Sequence, residues 1–338
     1  MKSKGRNVIF DGDKETCDYL ARMNLFRLID FDYRENFNRH TEAGRFLPIT
    51  TIYDEQSVYM ASNKICDLAL HQFDNAQEFL PAMEWCINEV IDNVRVHAET
   101  GVPGTVCAQY YPQRKLLDVA IVDRGRGIKD SLGERISLKN NEEAISRAFE
   151  RGVTRNPEIG QGNGLAGTQE IVRLNKGELQ LWTGDTSYWL TSDRENFALI
   201  PEYQGTGVFM RLDTCRPIDL SDIFIARPGW SFIDAELQRA DTEGGFKVRQ
   251  ECVHTGGREP ARTFRRKLES LIQNSGEPLI LNFEGIASTS SSFLDELLGR
   301  LVLTLGDEKF RQFISIVNMT QTIRNMADVV IMQRRRNS

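Results

Sequence analysis

The stretch from Trp85 to Ala98 constrains this chain most, because it reads as a helix whose faces have different commitments. Ile87, Val90, Ile91, Val94 and Ala98 recur at steps of three and four residues, the stripe by which a helix enters a core. Glu89, Asn93 and His97 fall four apart and stack on another face. A carboxylate one turn from a carboxamide offers oxygens to a hard divalent cation or to a water. Alone, the same triplet also describes an exposed polar face. What the rest of the chain brings to it decides between the two.

At 338 residues the chain is long for one hydrophobic core, and two structural units are expected. A net charge of -6 gives no general electrostatic reason to bind nucleic acid. The basic pieces at Lys2 to Arg6 and Arg334 to Arg336 read as solvated tails. No apolar run reaches membrane-spanning length; the best, Leu297 to Leu305, is short and broken by Arg300. No apolar segment follows the basic N-terminus, so no signal peptide is read there. Cys17, Cys66, Cys86, Cys107, Cys215 and Cys252 stand singly, without metal-ligand spacing. Buried thiols in a reduced, cytoplasmic protein are the expectation.

Four regions are expected: a lead-in over 1–75, a first α/β domain over 76–216, a linker over 217–242, and a smaller α/β domain over 243–338. In the lead-in, Tyr19 to Ile29 and Ser62 to Phe73 have helical patterns, and Ile49 to Tyr53 a strand pattern. Pro81 marks the start of the next helix. Thr105 to Tyr111 and Leu116 to Val122 read as strands, the second apolar enough to be covered on both faces. Asn140 to Arg151 is helical, and another helix runs to about Asn175, before Gly177. Glu178 to Thr183 and Thr206 to Leu212 read as strands joined by a loop or hairpin. Then Gly245 to Val253, Leu279 to Phe283 and Phe313 to Val317 read as strands. They alternate with helices over Pro260 to Gln273, Ser292 to Leu305 and Thr320 to Gln333.

Two glycine-bearing turns complete the chemistry. Asp123-x-Gly125-x-Gly127 ends an apolar strand, where a carboxylate can accept from an amine such as adenine's, and glycines let backbone approach a flat ring. Gly160-x-Gly162-x-Gly164 opens a helix, whose free N–H groups and dipole favour phosphates. Each motif alone is common turn chemistry. Their order after Glu89 and Asn93 is not.

Glu89-x-x-x-Asn93, Asp123-x-Gly125-x-Gly127, Gly160-x-Gly162-x-Gly164-Leu165 and Gly205-Thr206-Gly207-Val208-Phe209 resemble the successive boxes of the GHKL ATPase superfamily over about residues 80–213. The resemblance implies the Bergerat fold, a two-layer α/β sandwich with a mixed sheet, holding Mg²⁺ and ATP. It implies that Asn93 ligates the metal and Glu89 orients or deprotonates the attacking water. Asp123 would hold the adenine amine with Thr206 assisting, and Gly125 and Gly127 would shape that pocket. Gly160, Gly162, Gly164 and Leu165 would form the phosphate box. Residues 128–159 would make a lid carrying Arg151 and Arg155 as phosphate contacts. His97 resembles the histidine that follows the Asn in anti-sigma kinases, although a helix residue bonded to a neighbouring carbonyl is the reading to be preferred over a catalytic one.

Arg258 to Arg262, Phe283-Glu284-Gly285-Ile286, Ser291 to Leu297 and Val317-Asn318 resemble a STAS-like domain of no settled role, found behind GHKL ATPases. Its serine run reads first as helix capping, through Ser292-x-x-Asp295, and alternatively as a phosphoacceptor near Ser291. The two resemblances together imply a nucleotide-driven switch that controls a protein partner through the STAS-like domain, in bacterial regulation or defence signalling. A protein serine kinase of the anti-sigma type and a nucleotide-binding module without turnover are the alternatives. A homodimer is compatible with any of these.

Overall fold

The computed structural model describes residues 12–39, 45–73, 76–97, 101–154, 162–220, 223–224, 231–233 and 245–337. Two short helices, α1 (Lys14–Arg22) and α2 (Leu25–Leu28), pack Cys17, Ala21 and Phe26 into a small cluster of their own. Strand β1 (Phe46–Ile52) joins the main sheet at its edge. Helix α3 (Glu55–Gln72) then opens on a capping box in which Asp54 accepts from Ser57 N and Ser57 Oγ accepts from Asp54 N. These reciprocal bonds satisfy donors that the first helical turn leaves open.

Helix α4 (Ala76–His97) begins five residues before Pro81, not at it. The proline sits in the second turn, where it costs about 3 kcal/mol. Met83, Trp85, Ile87, Val90 and Ile91 are buried along the same helix, each contributing roughly 1.5–3 kcal/mol, and their packing outweighs that cost. Strands β2 (Gly104–Tyr111) and β3 (Leu116–Val122) form a hairpin. Three helices follow, α5 (Gly127–Gly133), α6 (Asn141–Ala148) and α7 (Gly164–Asn175). The sheet is completed by β4 (Glu178–Leu190) and β5 (Glu195–Asp213), a long hairpin turning at residues 191–194.

The strand order is β1-β2-β3-β5-β4, and every neighbouring pair is antiparallel. This corrects the mixed sheet that the resemblance implies. Strands β3 and β4 do run in the same direction, but β5 lies between them, so no parallel pair forms. Alternate residues of the sheet, among them Val106, Leu117, Val119, Val208 and Met210, are buried beneath α3, α4 and α7. On β3 the burial alternates, with Leu116, Asp118, Ala120 and Val122 only half-buried. The strand is therefore covered fully on one face, as suits an antiparallel sheet, and not on both as its composition suggests.

In the second part of the chain, β6 (Phe246–Lys247), β7 (Leu279–Asn282) and β8 (Ile314–Val317) form a parallel sheet. Parallel pairing requires crossovers, and helices supply them. After β6 come α8 (Val248–Glu251) and α9 (Arg258–Ser275), which buries Ala261, Phe264, Leu268 and Ile272. The strand expected over 245–253 stops early because Cys252 N bonds to Val248 O at 2.9 Å, closing a helical turn that buries both side chains. Between β7 and β8 run α10 (Ser291–Leu294), a π-helical turn over Asp295–Gly299, α11 (Arg300–Leu305) and α12 (Asp307–Phe313). Helix α13 (Gln321–Asn337) closes the chain.

One continuous apolar cluster spans both sheets. In the region expected as a linker, the described residues include buried Leu220, Ile223, Phe224, Phe232 and Ile233. Asp328 of α13 accepts from the Phe232 and Ile233 amides, both at 2.9 Å. No helix among the described residues is long and apolar enough to cross a membrane.

Candidate functional site

With its apolar stripe in the core, α4 has Asn88, Glu89, Asp92 and Asn93 left for its other faces. Asn88, Glu89 and Asp92 are buried too, and Asn93 is half-buried. A solvated polar face would be exposed, so that reading of the opening helix fails. Instead, Glu89, Asp92 and Asn93 border a cavity of roughly 1070 Å³, part of it open to solvent.

One end of the cavity is built at the end of β3. Asp123 Oδ1 accepts from Gly125 N at 2.7 Å and from Thr206 N at 3.2 Å, and the Tyr203 hydroxyl donates to Asp123 O at 2.7 Å. These bonds stitch the turn after β3 to β5 and fix the carboxylate at the cavity wall, beside Gly127, Ile128 and Thr206. Burial pushes the Asp123 carboxyl above its usual range, and the two amides pull it back. Both amides use Oδ1, so among the described residues Oδ2 is the oxygen left open. Gly125 lies behind the wall and acts through its N–H, whereas Gly127 lines the cavity itself.

The other end is built where α7 begins. Gly162 adopts φ +66°, and a Cβ there would stand 2.3 Å from Val153 O. Gly164 opens α7, and a Cβ there would lie 2.8 Å from Glu89 Oε2 and 3.6 Å from Asn93 Nδ2. These two positions need glycine for different reasons: the first for its backbone conformation, the second because α4 passes so close. Gly162, Gly164 and Leu165 all line the cavity. Gly160 and Arg155 lie outside the described residues, as does the side chain of His97.

From the lid region over 128–159, Ile128, Ser131, Leu132, Ala148, Val153 and Thr154 line the cavity. Arg151, expected to contact phosphate, is committed elsewhere. It bonds Glu170 Oε2 at 2.5 Å and Ile223 O at 2.9 Å, and is not in the cavity wall. A carboxylate one helix away holds the guanidinium more directly than the cavity does.

The sequence patterns give no hint of what closes the cavity from the third side. Arg258, Ser291 and Ser292, all from the C-terminal unit, form part of its wall. Ser290, not Ser292, is the N-cap of α10, with its hydroxyl accepting from Phe293 N at 3.0 Å. Ser292 is thereby free to meet Arg258 Nη2 at 3.2 Å, and Ser291 to meet α4. Glu89 Oε1 accepts from Ser291 N at 3.0 Å and from the Ser291 hydroxyl. Burial raises the Glu89 carboxyl to about 7, with the Ser291 bonds pulling down, Asp92 pushing up and Arg258 pulling down.

One helical turn earlier the Ser288 hydroxyl donates to Glu84. Across the same boundary Glu55 Oε1 accepts from Glu259 N at 3.0 Å, and the Asn163 and Gln333 amides pair at 2.7 and 2.9 Å. Asn163 belongs to the glycine loop, so that loop is tied to α13. No spacing rule connects residue 89 to 291 or 163 to 333. The sequence signal that existed was local: Ser291 and Arg258 each stand in short motifs of the C-terminal unit.

Residues 261–324 match the family model described as "STAS-like domain of unknown function (DUF4325)". This is similarity over the C-terminal unit, from within α9 to the first residues of α13, and it includes Ser291 and Ser292 but not Arg258. No curated protein matches the chain.

Proposed function

We propose that the chain binds Mg²⁺-ATP in this cavity and hydrolyses it, in the manner of a GHKL-type ATPase. In this reading, the nucleotide state controls how the STAS-like unit meets a protein partner. The observation that carries the reading is the convergence of four separated sequence boxes on one cavity, through Glu89 and Asn93, Asp123 and Gly127, Gly162 and Gly164, and Thr206. The fit is supported by the close pass of Gly164 against Glu89 and by the free oxygen of the buried Asp123 carboxylate.

Asp123 Oδ2 accepts from the exocyclic amine of the base, with Gly127 leaving room for a flat ring. The first N–H groups of α7 face the phosphates, where the helix dipole favours negative charge. Asn93 would hold the cation through its side-chain oxygen, and a single protein ligand suffices for a metal that keeps most of its waters. A Mg²⁺ ion held there would supply neutralisation of the charge that develops on the transferred phosphoryl group. Glu89, held near neutral titration, accepts the proton of the attacking water.

Calorimetry and turnover on wild type beside three variants test this. Asn93→Ala and Asp123→Ala are expected to lose Mg²⁺-ATP binding. Glu89→Ala is expected to keep it while turnover drops by about 10²-fold or more. Absence of any ATP-dependent thermal shift in the wild type would sink the nucleotide reading.

A second reading, a protein serine kinase, is favoured by one contact: the Ser291 hydroxyl on the Glu89 carboxylate, a nucleophile beside a base. Phosphopeptide mapping after incubation with labelled ATP separates the two. Transfer to a serine supports the kinase, and hydrolysis without label counts against it.

A further inference from the structure

We infer that Ser291 is a positioning residue for Glu89, so that the hydrolytic site of the first unit is completed by the C-terminal unit. This rests on the nucleotide reading above and adds to it a residue from another part of the fold. Glu89 is 6% exposed, and a carboxylate so placed needs hydrogen-bond donors. Among the described residues, both hydrogen bonds it accepts come from Ser291, one from the amide and one from the hydroxyl, and both fall on Oε1. The opposite oxygen, Oε2, lies against the Cα of Gly164, where a Cβ would come within 2.8 Å. The carboxylate is thus held from one side by the C-terminal unit and bounded on the other by the glycine loop.

Ser291 is itself fixed. Ser290 N bonds Thr255 O at 3.0 Å, and the Ser290 hydroxyl caps Phe293 N, which leaves the Ser291 amide as an open donor of the first turn. An acidic side chain from α4 takes that donor, as the helix dipole favours. Among the described residues, the other charges facing Glu89 are Asp92 on its own helix and Arg258 on α9. A base oriented by a third group is the general arrangement of acid–base sites, and here that third group is more than two hundred positions away in sequence. Ser291 also lines the cavity, but in this role it acts through Glu89.

The test compares Ser291→Ala, Ser291→Thr and Ser288→Ala in the full chain. Ser288→Ala removes the neighbouring bond to Glu84 and leaves Glu89 untouched. Mg²⁺-ATP affinity is measured by calorimetry, and kcat and KM by steady-state turnover. The Glu89 carboxylate stretch is read by infrared difference against Glu89→Gln in the nucleotide-free protein. Ser291→Ala is expected to bind ATP as wild type does, keep its KM and lose about tenfold in kcat. Its carboxylate band is expected to lose the shift that a hydroxyl donor imposes. Ser291→Thr is expected to restore both, and Ser288→Ala to change neither.

An unchanged or raised kcat in Ser291→Ala overturns the inference, and so does an unshifted band. Label found on Ser291 of the wild type makes it an acceptor and likewise overturns it. If the wild type does not bind ATP, the nucleotide reading falls and this inference falls with it. If ATP binds and only the Ser291 effects are missing, the nucleotide reading stands alone.

Discussion

Glu89 carries two burdens at once, a stability cost and a chemical role. Its carboxyl is held at about 7 by burial, against 4.5 for an ordinary glutamate. Between those values the folded state keeps a proton that the unfolded chain has released, so stability falls as pH rises through the window. The loss is absent below 4.5 and complete above 7, where it amounts to about 3 kcal/mol. Glu89→Gln keeps an oxygen for Ser291 and never ionises. Its melting temperature is therefore expected to exceed that of the wild type by a few degrees at pH 8, with the gap closing at pH 5. Melts that run parallel at both pH values would show that the wild-type carboxylate is not desolvated. A group that destabilises the fold when charged, placed on a cavity wall, has the character of a functional residue.

At the scale of elements, the π-helical turn over Asp295–Gly299 holds the C-terminal unit's charges in place. It puts two acidic residues, Asp295 and Glu296, side by side in the interior, both essentially unexposed. Asp295 takes Arg258 from α9 at 3.0 Å and Arg334 from α13. Glu296 takes Arg265 at 3.1 Å and Arg300 at 3.0 Å. Three helices are thereby cross-linked through one irregular turn, and one of the guanidiniums, Arg258, continues to the cavity wall. Removing a buried carboxylate from such a network leaves positive charge without its partner, at a cost of about 3–5 kcal/mol. Asp295→Ala is expected to lower the unfolding free energy by that amount in urea titrations, and Asp295→Asn by less. A loss under 1 kcal/mol would mean that the arginines reach other partners at little cost.

Across the whole molecule, polar contacts join the two units both at the cavity and away from it, as Ser291 with Glu89 and Glu259 with Glu55 show. Asn163 in the glycine loop and Gln333 in α13 exchange two amide hydrogen bonds between the units. A double-mutant cycle with Asn163→Ala and Gln333→Ala is expected to give a coupling of about 0.5–1.5 kcal/mol in equilibrium unfolding. Additive effects would show that the glycine loop and α13 do not sense one another. By itself the sequence determined the elements that carry their own periodicity. The apolar stripe of α4, the two-sheet α/β class, the hairpin of β2 and β3 and the alternation in the C-terminal unit were legible because each depends on neighbours a few residues away, at steps of three and four in a helix and of two in a strand. The wall of the cavity was legible in part for the same reason: Glu89, Asn93, Asp123, Gly162 and Gly164 stand in short motifs. What only the tertiary structure decided was which of these face one another and what closes over them. Arg151 turned out to be held by Glu170, Ser290 took the cap expected of Ser292, and Pro81 lay within its helix, there because the packing of the helix's buried stripe outweighed the proline's cost. The pairing of Glu89 with Ser291 follows from how the two units dock. Docking is set by the shape and burial of whole surfaces, which no local spacing encodes.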